Sequence, residues 1–394
     1  MNSLGRLENG FLRTYLSYTE HTEVPGYFGL WSGISILSVC LGRKCLIEYW
    51  PTVYPNFYIF FVAQSALSRK STAIGQAFHL LSRLDDPPLI LPQKNTTEGL
   101  IKILQRVEEV DGKLKQAPAE GIVMPDELIV FLNRDAQKSG LIGFLTNIWD
   151  AQEREFVYYT KGGGKEVLID PCLSILAGTT VNTLKESIPE EAVGGGFTSR
   201  VIFITADQSS RKISWPFKDA EILELEKRLV EDLNQVRKLR GPFLIEPVVR
   251  EFFDDMYKEF LSKSSLVRSP TLSGYAGRRH IMLLKLAMCT SAGRTSSMII
   301  DKGDLFEAEK ILVNAEVLMP SITARLISNE VGENMDQILD YIKMMKSVTR
   351  SDITRKMANK LRSHELDEYL RTLQSMGKIV EKLGRGVTYE YLSD

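Results

Sequence analysis

The chain has 394 residues, which at about 150 residues per domain allows two or three domains and a large buried core. Apolar residues make up 44% and charged residues 25%, so a mainly disordered chain is excluded. Forty-nine basic and fifty acidic residues leave a net charge of −1, which excludes a uniformly basic nucleic-acid coat but leaves room for a local basic patch.

Residues 6 to 42 are predicted helical, because Leu12 and Leu16, then Leu30, Ile34, Leu37 and Leu41, recur at three- and four-residue steps. The first residues are polar and give no signal peptide. The apolar run 28 to 42 is too short to cross a bilayer and carries three serines, so a buried helix and no membrane contact are expected. Cys40, Cys45, Cys172 and Cys289 and the four histidines lack metal-ligand spacing, which predicts reduced, buried thiols in a cytoplasmic protein.

A short strand is expected at 45 to 49. Residues 56 to 63, Asn-Phe-Tyr-Ile-Phe-Phe-Val-Ala, form a continuous apolar run of the kind a buried parallel strand shows. A polar turn and a helix over 71 to 84 follow. A strand at 89 to 91 precedes a capping signal at Asn95-Thr96-Thr97-Glu98 and a helix over 99 to 109, then a polar connector over 111 to 120. Further strands are expected at 122 to 124, 172 to 177 and 201 to 206, with helices at 139 to 152 and 181 to 187. A hairpin is expected over 155 to 168 around Gly162-Gly163-Gly164.

Alternating strands and helices predict an α/β fold with a mostly parallel sheet. After Asp207 the pattern turns helical, over 219 to 240, 247 to 263, 275 to 292 and 303 to 328, with a short strand at 242 to 245. The tail reads as helices near 335–346, 351–359 and 363–376 and two strands joined by Gly384-Arg385-Gly386, a winged-helix pattern. The expected organisation is an N-terminal helical lead (1–50), an α/β core (51–215), a helical lid (216–330) and a winged helix (331–394).

The turn Gln64-Ser65-Ala66-Leu67-Ser68-Arg69-Lys70-Ser71-Thr72 sits between a buried strand and a helix start. That corner offers backbone N–H groups and a helix dipole to phosphates; Lys70 would reach the β- and γ-phosphates and Ser71 would bind Mg²⁺. The usual G-x-x-x-x-G-K-[ST] pattern would put glycines at Gln64 and Arg69. Some 50 residues on, an apolar strand ends in Asp126-Glu127; Asp126 would hold the metal and Glu127 would polarise the attacking water. Each segment alone also reads as a solvated helix start, and it is their order and strand context that point to ATP with Mg²⁺. Thr180, in Gly178-Thr179-Thr180, would orient the water or cap a helix. Arg200, after Gly194-Gly195-Gly196, suits an arginine finger acting on a neighbouring subunit, or a local ion pair. Arg279, beside Arg278, is a candidate cationic sensor.

Together these residues resemble the P-loop NTPase family of phages and mobile elements (the YfjI-like, primase–helicase-associated group), which is related to AAA+/RecA-type ring helicases. The resemblance is carried by Arg69-Lys70-Ser71-Thr72, Thr97-Glu98-Gly99-Leu100, Asp126-Glu127-Leu128, Gly178-Thr179-Thr180, Gly194 to Arg200 and Lys285-Leu286-Ala287-Met288, and covers roughly residues 20 to 325. It implies an ATP-dependent, helicase-like replication protein working as a homo-oligomeric ring, such as a hexamer, on DNA, with a primase or initiator as a further partner. Gln64 and Leu67 stand where the family keeps glycines, so the alternative is a non-motor nucleotide switch or assembly protein with little hydrolysis. In the tail, eleven basic residues face ten acidic ones, and the third helix carries Glu365, Asp367 and Glu368, so backbone contact is expected there rather than sequence reading. Tyr158, Tyr159, Lys161 and Lys165 on the hairpin suit a single strand.

Overall fold

The computed structural model describes residues 6–64, 68–110, 112–151, 154–159, 164–189, 192–193, 196–327, 330–357, 361–383 and 387–392. The chain divides into two compact units, residues 1–326 and 327–394. The helical lead, the sheet and the region expected as a lid do not separate; they share one continuous core.

The lead is two helices, α1 (Phe11–Thr19) and α2 (Gly26–Leu41), broken at Pro25. α2 is apolar on almost every side because it is buried on every side. It lies against α1 and across three strands of the sheet, with Phe28 stacked on Phe61 at 4.5 Å between ring centroids. Strand β1 (Tyr58–Val62) is buried at all five positions and leads into helix α3 (Lys70–Ser82). The other sheet strands are β2 (Ile90–Leu91), β3 (Glu120–Val123), β4 (Cys172–Thr179), which feeds helix α4 (Val181–Ser187), and β5 (Val201–Ile204).

The five strands are all parallel, in the order β5-β1-β4-β3-β2. The chain leaves β1 through α3 for the β2 edge, whereas it leaves β4 for the opposite edge and crosses β1 to reach β5. Connections therefore depart from the adjacent strands β1 and β4 in opposite directions. That reversal opens a crevice at their carboxyl ends, where ligands of open α/β sheets bind.

Helices α5 (Ala220–Val236), α6 (Arg279–Arg294), α7 (Lys302–Glu316) and α8 (Met319–Ile327) follow, with the expected helix Pro247–Lys263 between α5 and α6. Glu226 of α5 is fully buried and gathers the Tyr18 hydroxyl at 3.2 Å, His79 at 3.0 Å, Arg83 and Lys218, so one carboxylate ties α1, α3 and α5 together. Burial works against its charge, but the bonds from Lys218 and His79 outweigh it and bring its pKa down to about 2.

Two segments differ from expectation. The helix expected over 99 to 109 ends at Leu104, and the expected connector is a second hairpin, Val107–Val110 against Lys113–Gln116. The turn at Gly112 has φ 71°, and Glu108 faces Lys115 across the strands. The helix expected over 139 to 152 is present but shorter, Leu141–Ile148, and two short helices not expected from the sequence, Leu128–Phe131 and Arg134–Lys138, precede it.

The second unit has its own core, built on Ile338, Ile342, Ile353, Leu366, Leu370 and Tyr389. Helices Glu330–Met345, Arg350–Met357 and Ser363–Ser375 pack on a three-stranded antiparallel sheet. Its third strand, Ser347–Thr349, was not expected from the sequence.

Candidate functional site

Lys70 is the first residue of α3, directly beyond the carboxyl end of β1. Its side chain is 6% exposed, and the ammonium donates to the carbonyls of Ala63 at 2.7 Å and Gln64 at 3.1 Å. Burial lowers its pKa, opposed by the nearby charge of Glu127. Lys70 and Glu127 therefore lie within electrostatic range of each other, although 57 residues separate them along the chain.

Ser68 donates to the Gln64 carbonyl at 2.7 Å and closes the turn, while Gln64 itself is exposed. Ser71 is exposed on the first turn of α3 and Thr72 is half-buried. Ser65, Ala66 and Leu67 lie outside the described residues. Arg69 takes φ 53° and ψ 31°, the left-handed conformation that a glycine would hold without strain. For arginine it costs about 1 kcal/mol or more. The Arg69 side chain turns to Glu23, with Nε 2.9 Å from Oε2.

Asp126 is exposed and makes no ion pair among the described residues; the protein around it raises its pKa by desolvation. Its main chain is pinned beside β4, since Gly178 donates its N–H to the Pro125 carbonyl at 3.0 Å. A Cβ on Gly178 would run into the Asp126 carbonyl oxygen and touch Ile74 of α3 at 3.4 Å. This glycine thus sets how closely the Asp126 corner approaches β4 and α3. Gly178→Ala is expected to cost about 1 to 3 kcal/mol in urea unfolding, and unchanged stability would show that the corner yields freely. Ser71 and Asp126 supply a hydroxyl and a carboxylate, oxygen donors that suit Mg²⁺ when phosphate oxygens complete its shell. Among the described residues no group of three or more His, Cys, Asp or Glu side chains gathers to hold a metal.

Thr180 caps α4. Its hydroxyl accepts from the Thr183 N–H at 3.2 Å, and the Thr183 hydroxyl accepts from the Thr180 N–H at 2.9 Å. Thr180 also lines the cleft, beside exposed Asn182. The cleft holds about 660 Å³ over the ends of β1, β4 and β5. Asp207 and Gln208 form one wall, and Leu318 with Ser321 and Arg325 of α8 forms its roof. Arg325 is a cation at the cleft that sequence reasoning missed. It stands 255 residues from Lys70, and no local signal marks it.

Arg279, expected as the sensor, is a correction. It is 3% exposed, donates to Glu316 at 2.7 Å and to both Glu309 oxygens, and rests on the Phe260 ring. It clamps α6 to α7 and is absent from the cleft. Arg200 makes the local ion pair that was the alternative to a finger. It is 7% exposed, donates to the Gly196 carbonyl at 2.6 Å and pairs with Asp150 at 2.7 Å. Val201 is in register with Tyr58, so Arg200 lies level with Phe57, six residues or about 20 Å from the loop at Ala63. It cannot reach the cleft of its own chain. Gly194 and Gly195 lie outside the described residues.

The same edge of the sheet holds Lys285, whose buried ammonium donates to the backbone and side-chain oxygens of Asn56, each at 2.9 Å, and lies 3.7 Å from the Trp149 ring centroid. Burial brings its pKa down to about 7 from 10.5. Between those values the folded state binds fewer protons than the unfolded one, so this group adds stability as pH rises. The stability of wild type relative to Lys285→Met is expected to grow by about 2 kcal/mol from pH 7 to pH 9 in urea unfolding. A constant difference would mean that the lysine keeps its ordinary titration.

Both hairpins leave from that edge. The Glu155–Tyr159 and Lys165–Ile169 strands carry half-buried Tyr158 and exposed Tyr159, and Lys161 lies outside the described residues. Gln105 and Gln116 both donate to the Val167 carbonyl, tying the second hairpin to the first. In the second unit several basic residues are neutralised, Arg350 by Asp367 at 2.6 Å and Lys382 by Glu390 at 2.5 Å. Lys360 and Arg385 lie outside the described residues. All four cysteines are free and buried, and among the described residues no helix is long and apolar enough to cross a membrane.

The sequence matches no known family model and no curated protein.

Proposed function

We propose that this chain is an ATP-dependent motor acting on DNA, with a P-loop ATPase core and a C-terminal winged helix. The observation that carries this reading is the corner where Lys70 opens α3 within electrostatic range of Glu127, while Asp126 is held against Gly178 one strand away. That corner lies at the carboxyl ends of a parallel sheet and borders a cleft of about 660 Å³, within the size range of small-ligand sites. ATP with Mg²⁺ is the ligand: backbone N–H groups at the start of α3 and Lys70 take the phosphates, Ser71 and Asp126 hold the metal, and Glu127 orients the attacking water. Arg325 supplies a cation from the roof.

A homo-oligomeric ring with nucleotide between subunits fits the position of Arg200. At the far edge of the sheet it serves only a neighbouring copy's phosphate, and only after leaving Asp150. The aromatic and basic hairpin suits a DNA strand, and a primase or initiator would supply loading. The test is ATP hydrolysis by the purified chain with Mg²⁺, with and without single-stranded DNA. Stimulation by DNA supports the motor; ATP binding without turnover in either condition refutes it.

One observation favours a second reading. Arg69 occupies a glycine position and Lys70 is engaged by the loop's own carbonyls, features of a site that holds nucleotide without fast turnover. That chain would be a switch or assembly protein.

A further inference from the structure

We propose that Glu23 gates the phosphate site: it holds the Arg69 guanidinium aside, and the phosphates of a bound nucleotide take Arg69 from it. This inference rests on the nucleotide reading above and adds a residue from the N-terminal lead to it.

Both cations of the loop are engaged by the protein itself. Lys70 is buried and bonds to two carbonyls, whereas Arg69 donates through Nε to Glu23 Oε2 at 2.9 Å and through an η nitrogen to the same oxygen. The two engagements differ in strength. The Arg69–Glu23 pair sits at the surface, with Arg69 46% and Glu23 19% exposed, and such pairs are screened and weak. A phosphate group offers the guanidinium a bidentate partner of higher charge. Arg69 immediately precedes Lys70, and its left-handed backbone fixes where its side chain leaves the loop. A glycine at this position would relieve the strain and remove the guanidinium.

Glu23 does more than pair with Arg69. Its second oxygen accepts the Ile213 N–H at 2.9 Å, and Lys212 also lies within electrostatic range. Arg211 donates to the carbonyls of Thr22 at 3.1 Å and Val24 at 2.5 Å. Residues 22–24 are therefore clamped to 211–213, which continue from the cleft wall at Asp207 and Gln208. A ligand that draws Arg69 away removes a cation from one end of this clamp. Occupancy of the phosphate site is thereby felt in the N-terminal lead.

The experiment is ATP–Mg²⁺ titration calorimetry on wild type, Glu23→Gln, Arg69→Ala and the double variant, with hydrogen exchange at the Ile213 amide as a second readout. Glu23→Gln is expected to bind about 3- to 10-fold more tightly, because a weak surface pair no longer competes. Arg69→Ala binds more weakly, and the double variant matches Arg69→Ala because Glu23 then has nothing to hold. ATP is expected to change the rate of exchange at Ile213 in wild type. The gate is overturned if Glu23→Gln weakens binding, if its effect persists without Arg69, or if exchange at Ile213 stays constant at saturation. Equal ATP affinity in all four proteins sinks the gate and leaves the phosphate site standing, whereas a wild type that binds no nucleotide ends both.

Discussion

Lys70→Ala is expected to lower ATP turnover by about 10²- to 10³-fold, the scale of losing one preorganised charge from a site where charge develops. The side chain is buried at the mouth of α3 and its ammonium spans the carbonyls of Ala63 and Gln64, so its position is fixed before any ligand arrives. A triphosphate replaces those two carbonyls as its partner. The loss should appear in affinity as well as in rate, because the charge acts on the bound phosphates and on the reacting ones. Phosphate release measured over a range of ATP concentrations separates the two effects. Wild-type turnover in the alanine variant would remove the phosphate role of this corner, and the DNA motor with it.

Glu127→Gln should act differently. Glu127 caps the start of Leu128–Phe131 without a side-chain bond to that helix, so its carboxylate is not spent on structure. Removing a positioned base costs about 10²- to 10⁴-fold in rate, while binding should be retained because the phosphates and metal keep their other partners. The expected result is a protein that holds ATP and does not cleave it, seen as a stable filter-bound complex with no released phosphate. If Glu127→Gln turns over ATP at the wild-type rate, the water-orienting role belongs elsewhere, with exposed Asn182 one polar side chain on the cleft wall.

The sheet was legible in the sequence because its strands are buried on both faces. The run Tyr58–Val62 and the apolar stretches at Ile122 and Val201 need no alternation to be recognised. Strand order was not legible, since the placement of β4 between β1 and β3 is a tertiary fact. The 107–116 hairpin was missed for the opposite reason. Its described positions lie at the surface, so hydrophobic periodicity leaves no trace, and only cross-strand pairing identifies it. Within the site, Lys70, Asp126 and Glu127 could be proposed from strand ends alone. The fates of Arg200 and Arg279 could not, because a buried guanidinium is defined by partners such as Asp150 and Glu316 that are distant in sequence. Arg325 escaped notice for the same reason.

Two strands of the sheet begin at the hairpins. β3 runs from the 107–116 hairpin to Asp126, and β4 runs from the 155–169 hairpin through eight residues, about 26 Å, to Thr180. Both strands are hydrogen-bonded to a neighbour on either side, so they hold the hairpins at a fixed separation from the residues at their carboxyl ends. The Gln116 side chain bonds to the Val167 carbonyl of the other hairpin, so the two projections are fixed to each other as well as to the sheet.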